Sequence, residues 1–321
     1  MIGSGRGGAP PRIVFIGAVE EGRRCLAALL EMGEPVAGII TLEDHLARTL
    51  SGGAVFDDLA RHHKIPLTKV GTLKSVQGID HVRRLAPDLI LVIGWTSLVP
   101  AEVLSLAPLG CVGFHASLLP KYRGRAPVNW AIINGETQTG NTMFFLDAGA
   151  DTGAIIAQRR FPIEEHDTVA TLYDRVAETG IQMLVEHLPQ LKCGGAPRRA
   201  QDESAATVMR RRRPEDGLID WSRGTRSLHD WVRALTHPYP GAFTTLAGRR
   251  LFVWEARPAG RGEPGPAPGA IVAAQPEGLL VRTGDGLLLV TRAQWEGSHE
   301  MTRAELAALA GRRFDAARAA A

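Results

Sequence analysis

Arg12-Ile13-Val14-Phe15-Ile16-Gly17, then AVEEGRRCLAALLEMGEP (18–35), then Val36-Ala37-Gly38-Ile39-Ile40 is the stretch that decides the fold. A short apolar run closes on glycine, Cys25, Leu26, Leu29 and Leu30 recur at helical spacing, and a second apolar run follows, so the segment reads strand, helix, strand. The pattern repeats downstream. A helix is expected near Val55 to His63, a strand end at Ile65-Pro66-Leu67, a helix near Ile79 to Leu85, and an unbroken apolar strand at Leu89-Ile90-Leu91-Val92-Ile93. Continuous apolar strands alternating with helices predict an α/β fold, a Rossmann-like and mostly parallel sheet with helices on both faces. Ligands of such sheets gather beyond the carboxyl ends of the strands. Gly17 opens G-A-V-E-E-G rather than G-x-G-x-x-G, which leaves out the dinucleotide fingerprint.

Further along, Thr168 to Leu191 is helical, with Leu172, Val176, Met183 and Leu184 as buried positions. The composition then changes. CGGAPRRAQDESAA (193–206) reads as linker, and short apolar runs follow at 242–246, 251–254, 270–273, 279–281 and 287–291, punctuated by Gly and Pro, which predict a small OB-like β-barrel. ARPAGRGEPGPAPG (256–269) reads as a flexible surface loop between those strands. The resulting plan is a disordered tail over 1–11, a catalytic domain over 12–192, a linker over 193–213, a barrel over 214–305 and a second tail over 306–321.

The 321 residues, 45% hydrophobic and 22% charged, have ordinary globular composition and exclude disorder over most of the chain. No run approaches ~18 apolar residues and no secretory signal is visible, so the expectation is a soluble, cytoplasmic protein with no membrane partner. Three cysteines, Cys25, Cys111 and Cys193, are widely spaced and offer neither a disulfide framework nor a CxxC site. A net charge of +3 lacks the strongly basic balance of a dedicated nucleic-acid binder. Arg210-Arg211-Arg212-Arg213, the one dense run, abuts Pro214 and reads as a solvated linker face rather than an anion site.

The chemistry is concentrated between residues 110 and 153. In GFHASLLPKYRG (113–124) His115 follows an apolar strand, and in FFLDAGADTG (144–153) a strand runs into a loop with two carboxylates. A His and an Asp on neighbouring loop tips make an acid–base pair in which the carboxylate holds the imidazole. On these residues alone, a capping or turn role for Asp147 or Asp151 is the better reading. A metal is not indicated, since no second His or Cys stands at ligand spacing.

HASLLPKYRGRAPVNW (115–130), LDAGADTGAIIAQ (146–158) and PEDGLIDWSRGTRSLHDWVRALTHPYPGAF (214–243) together resemble the 10-formyltetrahydrofolate-dependent formyltransferases, a likeness that runs from about Arg12 to about Gly297. Within that family the chain looks most like the enzymes that formylate nucleotide-linked amino sugars, of the UDP-4-amino-4-deoxy-arabinose type, with methionyl-tRNA formyltransferases next. The resemblance implies formyl transfer from 10-formyltetrahydrofolate, a co-substrate, to a primary amine, with no metal. It places the catalytic His on His115 and the catalytic Asp on Asp151. The family's Asn, two residues before the His, falls on Gly113. The folate cradle falls on Gly94, Trp95, Thr96, Leu98 and Val99 and on the loop holding Asp147, Ala150 and Asp151, although Trp95, Leu98 and Val99 could equally be core. Ser117, Lys121, Arg123 and Arg125 fall on the acceptor side, where Tyr122 and Arg123 could instead pin the turn. Trp221, Trp231, Tyr239 and Phe243 match the second domain and read as aromatic anchors.

In this reading His115 donates to the developing oxyanion or relays the amine proton while Asp151 orients it. The gap at Gly113 is open to a water, to another amide such as Asn129 or Asn141, or to a bulkier acceptor. The tRNA enzymes resemble one another in a longer basic loop after the second strand. Here Thr41-Leu42-Glu43-Asp44-His45-Leu46-Ala47-Arg48 is short and holds two acids, so the expected partner is a nucleotide-sugar rather than tRNA. A folate- or nucleotide-binding homologue with impaired catalysis is the remaining alternative. The family's sugar enzymes are often dimers, and a homodimer is the matching expectation.

Overall fold

The computed structural model describes residues 10–261 and 265–316, with no side chain described at Arg261. Most of the expected tail over 1–11, all but Pro10 and Pro11, and the last five residues lie outside them. The chain divides into two compact units that alternate along the sequence. One holds residues up to 127 with 139–161 and 173–209; the other holds 128–138, 162–172 and everything from 210.

In the first unit the strands β1 (Ile13–Ile16), β2 (Val36–Leu42), β3 (Leu67–Val70), β4 (Leu89–Val92) and β5 (Cys111–His115) run parallel. The helices α1 (Glu20–Glu31), α2 (Asp44–Ala47), α3 (Asp57–His62), α4 (Val76–Arg84) and α5 (Ala101–Leu104) alternate with them. After β6 (Arg123–Gly124) and α6 (Pro127–Ile133), β7 (Gln138–Phe145) joins antiparallel to β5, and β8 (Ile155–Pro162) completes a seven-stranded sheet of order β3-β2-β1-β4-β5-β7-β8. The order reverses between β1 and β4, which opens a crevice at the carboxyl edge.

Pleat alternation explains both faces. Ile13, Phe15, Leu89 and Leu91 meet Cys25, Leu26 and Leu29 of α1 and Met183, Leu184 and Leu188 of α7 (Val169–Lys192); Val14, Ile16, Ile90 and Val92 meet Val82 of α4 and Val103 of α5. α1 carries Glu20 in its first turn, where its charge complements the helix dipole, and stops at Met32 before Gly33. It also lies very close to the sheet: a Cβ on Gly22 would come within 2.3 Å of the Ile93 carbonyl oxygen. Glycine there lets the start of α1 rest on the end of β4, next to the crevice.

The second unit contains α8 (Thr225–Leu235) and the antiparallel strands β10 (Ala242–Leu246), β11 (Arg249–Arg261), β12 (Ile271–Gln275), β13 (Gly278–Arg282) and β14 (Gly286–Trp295), in the order β10-β11-β14-β13-β12. Register shifts along β11 and β14 bend and twist this sheet. Trp221 is buried, stacked on Phe314, and donates its indole N–H to Thr244 Oγ1 at 3.0 Å. It is a core anchor.

Three sequence boundaries move. Residues 256–261, expected in a loop, continue β11 because they pair with β14, with Pro258 beside a register shift. The C-terminal segment is held by α9 (Arg303–Ala307) and by buried Phe314, rather than trailing as a tail from 306. The expected linker over 193–213 contains β9 (Val208–Met209), which pairs with β6, and an Ile155–Arg199 bridge. Within the arginine run, Arg212 is half-buried against the rings of Trp130 and Trp231, and its desolvation lowers its pKa. Among the described residues no helix is long and apolar enough to cross a membrane, and all three cysteines are free.

Candidate active site

Two loops leave adjacent strands at the carboxyl edge. The first follows β5, whose last residue is His115, 8% exposed. Its Nε2 donates to the Tyr122 carbonyl at 2.7 Å, so in a neutral ring the lone pair is on Nδ1. Nδ1 faces Asp151 Oδ2 at 3.6 Å. Asp151 sits in the left-handed region at φ 58°, and its Oδ2 also accepts from the Gly124 amide at 2.8 Å. No described residue bonds its Oδ1. The structure therefore brings His115 and Asp151 together, with one carboxylate oxygen and one ring nitrogen as the available proton acceptors.

The loop between them is pinned throughout. Ser117 Oγ donates to the Lys121 carbonyl at 2.6 Å, and the Leu119 amide donates to Thr142 Oγ1 at 3.1 Å. Tyr122 N donates to Thr207 Oγ1 at 2.8 Å, and Arg123 N to the Thr207 carbonyl at 2.8 Å. Ser117 and Arg123 thus differ from the acceptor role expected of them. The Ser117 hydroxyl closes the turn, and the Arg123 side chain, 6% exposed, makes a bidentate pair with Glu203 at 2.7 and 2.8 Å. That pair raises the Arg123 pKa and lowers that of Glu203. Lys121 and Arg125 stay exposed, and neither has a carboxylate partner among the described residues.

Gly113 lies on the same face as His115, opposite Phe144 of β7. Its side-chain volume is taken: a Cβ would stand 3.0 Å from Leu146 Cδ2 and 3.0 Å from the Val92 carbonyl oxygen. Neither candidate amide fills the role of the missing Asn. Asn141 belongs to the other face of β7 and donates to the Val176 carbonyl at 2.9 Å, while Asn129 belongs to the second unit and donates to the Ala234 carbonyl at 2.7 Å.

The second loop, Gly94 to Val99, follows β4. Gly94 turns the chain at φ 67°, and its carbonyl accepts from Ala18 N at 3.1 Å. Beyond it the backbone groups of 95–99 make no hydrogen bond to any described residue, and the Trp95 indole N–H is buried without a partner. Leu98, 53% exposed, is not core, whereas Trp95 and Val99 pack on the core beneath. A row of free amides and carbonyls beside apolar side chains suits a flat heterocycle edged with donors and acceptors, as the pterin of a folate is. In the loop after β7, Asp147 Oδ1 accepts from Gly149 N at 3.0 Å and from Thr152 Oγ1 at 2.7 Å, a turn role, while Ala150 is exposed. No group of three or more His, Cys, Asp or Glu among the described residues is placed to hold a metal ion.

Sequence reasoning missed Gln201, Glu203 and Thr207, all from the expected linker, and Leu146. The signal present was Asp202-Glu203-Ser204: Asp202 Oδ1 accepts from Ser204 N at 3.0 Å and caps a short 3-10 turn over Glu203–Ala205.

Residues 13–188 match the formyl transferase family, and 211–310 match the formyl transferase C-terminal domain. A methionyl-tRNA formyltransferase from Geobacter sulfurreducens is 38% identical over 307 residues, 95% of each chain. HypX from Aquifex aeolicus in complex with tetrahydrofolic acid superposes with a TM-score of 0.65 at 21% identity, over 92% of this chain and 46% of that protein. An N-formyltransferase from Helicobacter canadensis in complex with folinic acid and dTDP-3-aminofucose gives 0.64 at 17% identity, over 88% of this chain and 99% of that one. The two structural likenesses speak to the fold alone.

Proposed function

The chain belongs to the formyl transferase family and takes its formyl group from 10-formyltetrahydrofolate, and from that premise we propose that the amine it formylates is that of methionine carried on tRNA. The observation that carries this acceptor is the 38% identity to a methionyl-tRNA formyltransferase across 95% of both chains, second domain included. It outweighs the likeness to the amino-sugar enzymes that the motifs suggested. Lys121 and Arg125, exposed on the loop that leaves His115 and without carboxylate partners among the described residues, are the cations such an acceptor's phosphates would meet.

Bound 10-formyltetrahydrofolate supplies an activated formyl carbon and a nitrogen leaving group, and the backbone of 95–99 with the Trp95 indole would hold its pterin. The chain's own residues manage the amine. Asp151 Oδ1 accepts a hydrogen bond from the incoming nitrogen and orients its lone pair. His115 Nδ1 takes the proton that nitrogen must shed as the new C–N bond forms and gives one to the departing folate nitrogen as the old C–N bond breaks, which returns the ring to neutral. The imidazolium formed between those two steps is held between the Asp151 carboxylate and the Tyr122 carbonyl, and its charge lies where negative charge grows on the formyl oxygen. Because Nε2 is engaged by Tyr122, the working edge of the ring is Nδ1.

One observation favours a nucleotide-linked amino sugar as a second reading. The segment after β2 holds Glu43 and Asp44, and the nearby Lys69 is drawn between Asp44 at 2.6 Å and Asp57 at 2.9 Å, so its charge is spent on carboxylates rather than left for a phosphate. The hydrogen bond from Lys69 lowers the Asp44 pKa, and the two carboxylates raise that of Lys69. The test offers methionyl-tRNA and a panel of UDP- and dTDP-amino sugars with 10-formyltetrahydrofolate and reads tetrahydrofolate release and product mass. Formylmethionyl-tRNA at a kcat/KM about 100-fold or more above any sugar is expected. Turnover of a sugar alone would overturn the acceptor while leaving formyl transfer in place; turnover of neither would point to a homologue impaired at Gly113.

A further inference from the structure

We infer that Gln201 is a positioning residue for formyl transfer, whose carboxamide clamps the backbone of the Asp151 loop so that the Asp151 carboxylate faces His115. This rests on the reading of His115 and Asp151 as the reacting pair. The carboxamide is saturated. Its Nε2 donates to the carbonyls of Asp151 and Gly153, each at 2.8 Å, and its Oε1 accepts from Arg123 Nε at 3.1 Å and Nη2 at 2.8 Å. The opposite orientation of the amide would set its oxygen against two carbonyl oxygens, so the partners fix which atom points where.

The clamp has a rigid backing. Arg123 is buried and two further donors go to Glu203 at 2.7 and 2.8 Å, so the guanidinium that holds Gln201 is itself held by a second residue. Arg123 and Gly124 form β6, which pairs in register with Val208 and Met209. Gly124 N donates to Asp151 Oδ2, and the neighbouring Tyr122 carbonyl accepts from His115. Gln201 therefore ties together the three parts that set the 3.6 Å approach of His115 to Asp151: the carboxylate's own backbone, the strand that contacts the carboxylate, and the turn that orients the ring. Asp151 needs such a tie because its left-handed backbone, at φ 58°, is one that a non-glycine residue keeps only when its surroundings impose it. Both amide hydrogens are spent on the Asp151 loop, one of them on the carbonyl of Asp151 itself.

The experiment is a double-mutant cycle of Gln201→Leu with Asp151→Asn. It reads kcat and KM with 10-formyltetrahydrofolate and whichever of methionyl-tRNA or the UDP- and dTDP-amino-sugar panel the wild type formylates. Gln201→Leu alone should lower kcat by about 10- to 100-fold, the scale of a misplaced reacting group, with KM for the folate within about 3-fold. In the Asp151→Asn background the same substitution should cost less than about 3-fold, because the carboxylate it positions is gone. Gln201→Glu, which keeps an acceptor for Arg123 and loses both donors, serves if the leucine variant does not fold, and should lose rate similarly. An unchanged kcat in either Gln201 variant, or an equal loss in both backgrounds, overturns the proposal. An Asp151→Asn variant with wild-type kcat would instead overturn the reacting pair itself, a different and separately visible failure.

Discussion

The loops that leave β4 and β5 start side by side at one sheet edge and are built in opposite ways. From Ser117 to Gly124 the turn is knotted by hydrogen bonds to Thr142, Asp151 and Thr207, and a strand pair closes it. From Trp95 to Val99 no described residue bonds the backbone at all. The difference fits the two roles proposed for them. A reacting centre gains from donors and charges fixed before the substrate arrives. A cradle for a flat polar heterocycle gains from backbone groups left unspent, which the ligand then satisfies.

The largest effect should come from breaking the fixed side. His115→Ala is expected to lower kcat by about 10²- to 10⁴-fold in steady-state turnover, with KM for 10-formyltetrahydrofolate within about 3-fold. Breaking the open side should do the reverse. In Gly94→Ala the new Cβ would stand 2.7 Å from Val19 Cγ2 on a backbone at φ 67°. That should weaken tetrahydrofolate binding by about 10-fold in calorimetry while kcat at saturation holds within about 2-fold.

How much of this was legible in the sequence differs between the same two regions. The strand–helix order was readable because apolar spacing encodes it: Cys25, Leu26, Leu29 and Leu30 are buried as their periodicity requires, and so are Leu172, Val176, Met183 and Leu184. His115 and Asp151 were readable as motif residues, but their clamp was not. Gln201 lies in a polar, glycine-rich stretch whose local composition is that of a linker, and its partners stand about 50 and 80 residues away. Nor does a sequence show that Leu146 fills the space beside Gly113, since that contact depends on how β7 ends against β5.

That contact sharpens the comparison at intermediate size. Gly113→Asn should not restore rate. It must displace Leu146, and chemical denaturation should show a loss of about 1–3 kcal/mol, partly relieved by adding Leu146→Ala. A faster single variant of unchanged stability would mean that the position is open.

The smallest effect concerns pH. Burial pushes the Glu21 carboxyl up to about 7, and its Oε1 is buried without a partner. Between the unfolded value near 4.5 and about 7 the native state binds more protons than the unfolded chain, so this group's contribution to stability falls as pH rises through that window. Glu21→Gln should therefore raise stability by roughly 1–2 kcal/mol at pH 8 and leave it unchanged at pH 4. Thermal melts at the two pH values check this.

The contrast between the loops is tested most directly by amide hydrogen exchange of the free protein and of the protein saturated with tetrahydrofolate, resolved to peptides covering 94–99 and 116–124. Exchange over 94–99 should be fast in the free protein and slow by about 10-fold or more on binding, while 116–124, whose amides are bonded, should be protected in both states and change little. Protection of 94–99 without ligand, or a ligand response confined to 116–124, would contradict the account.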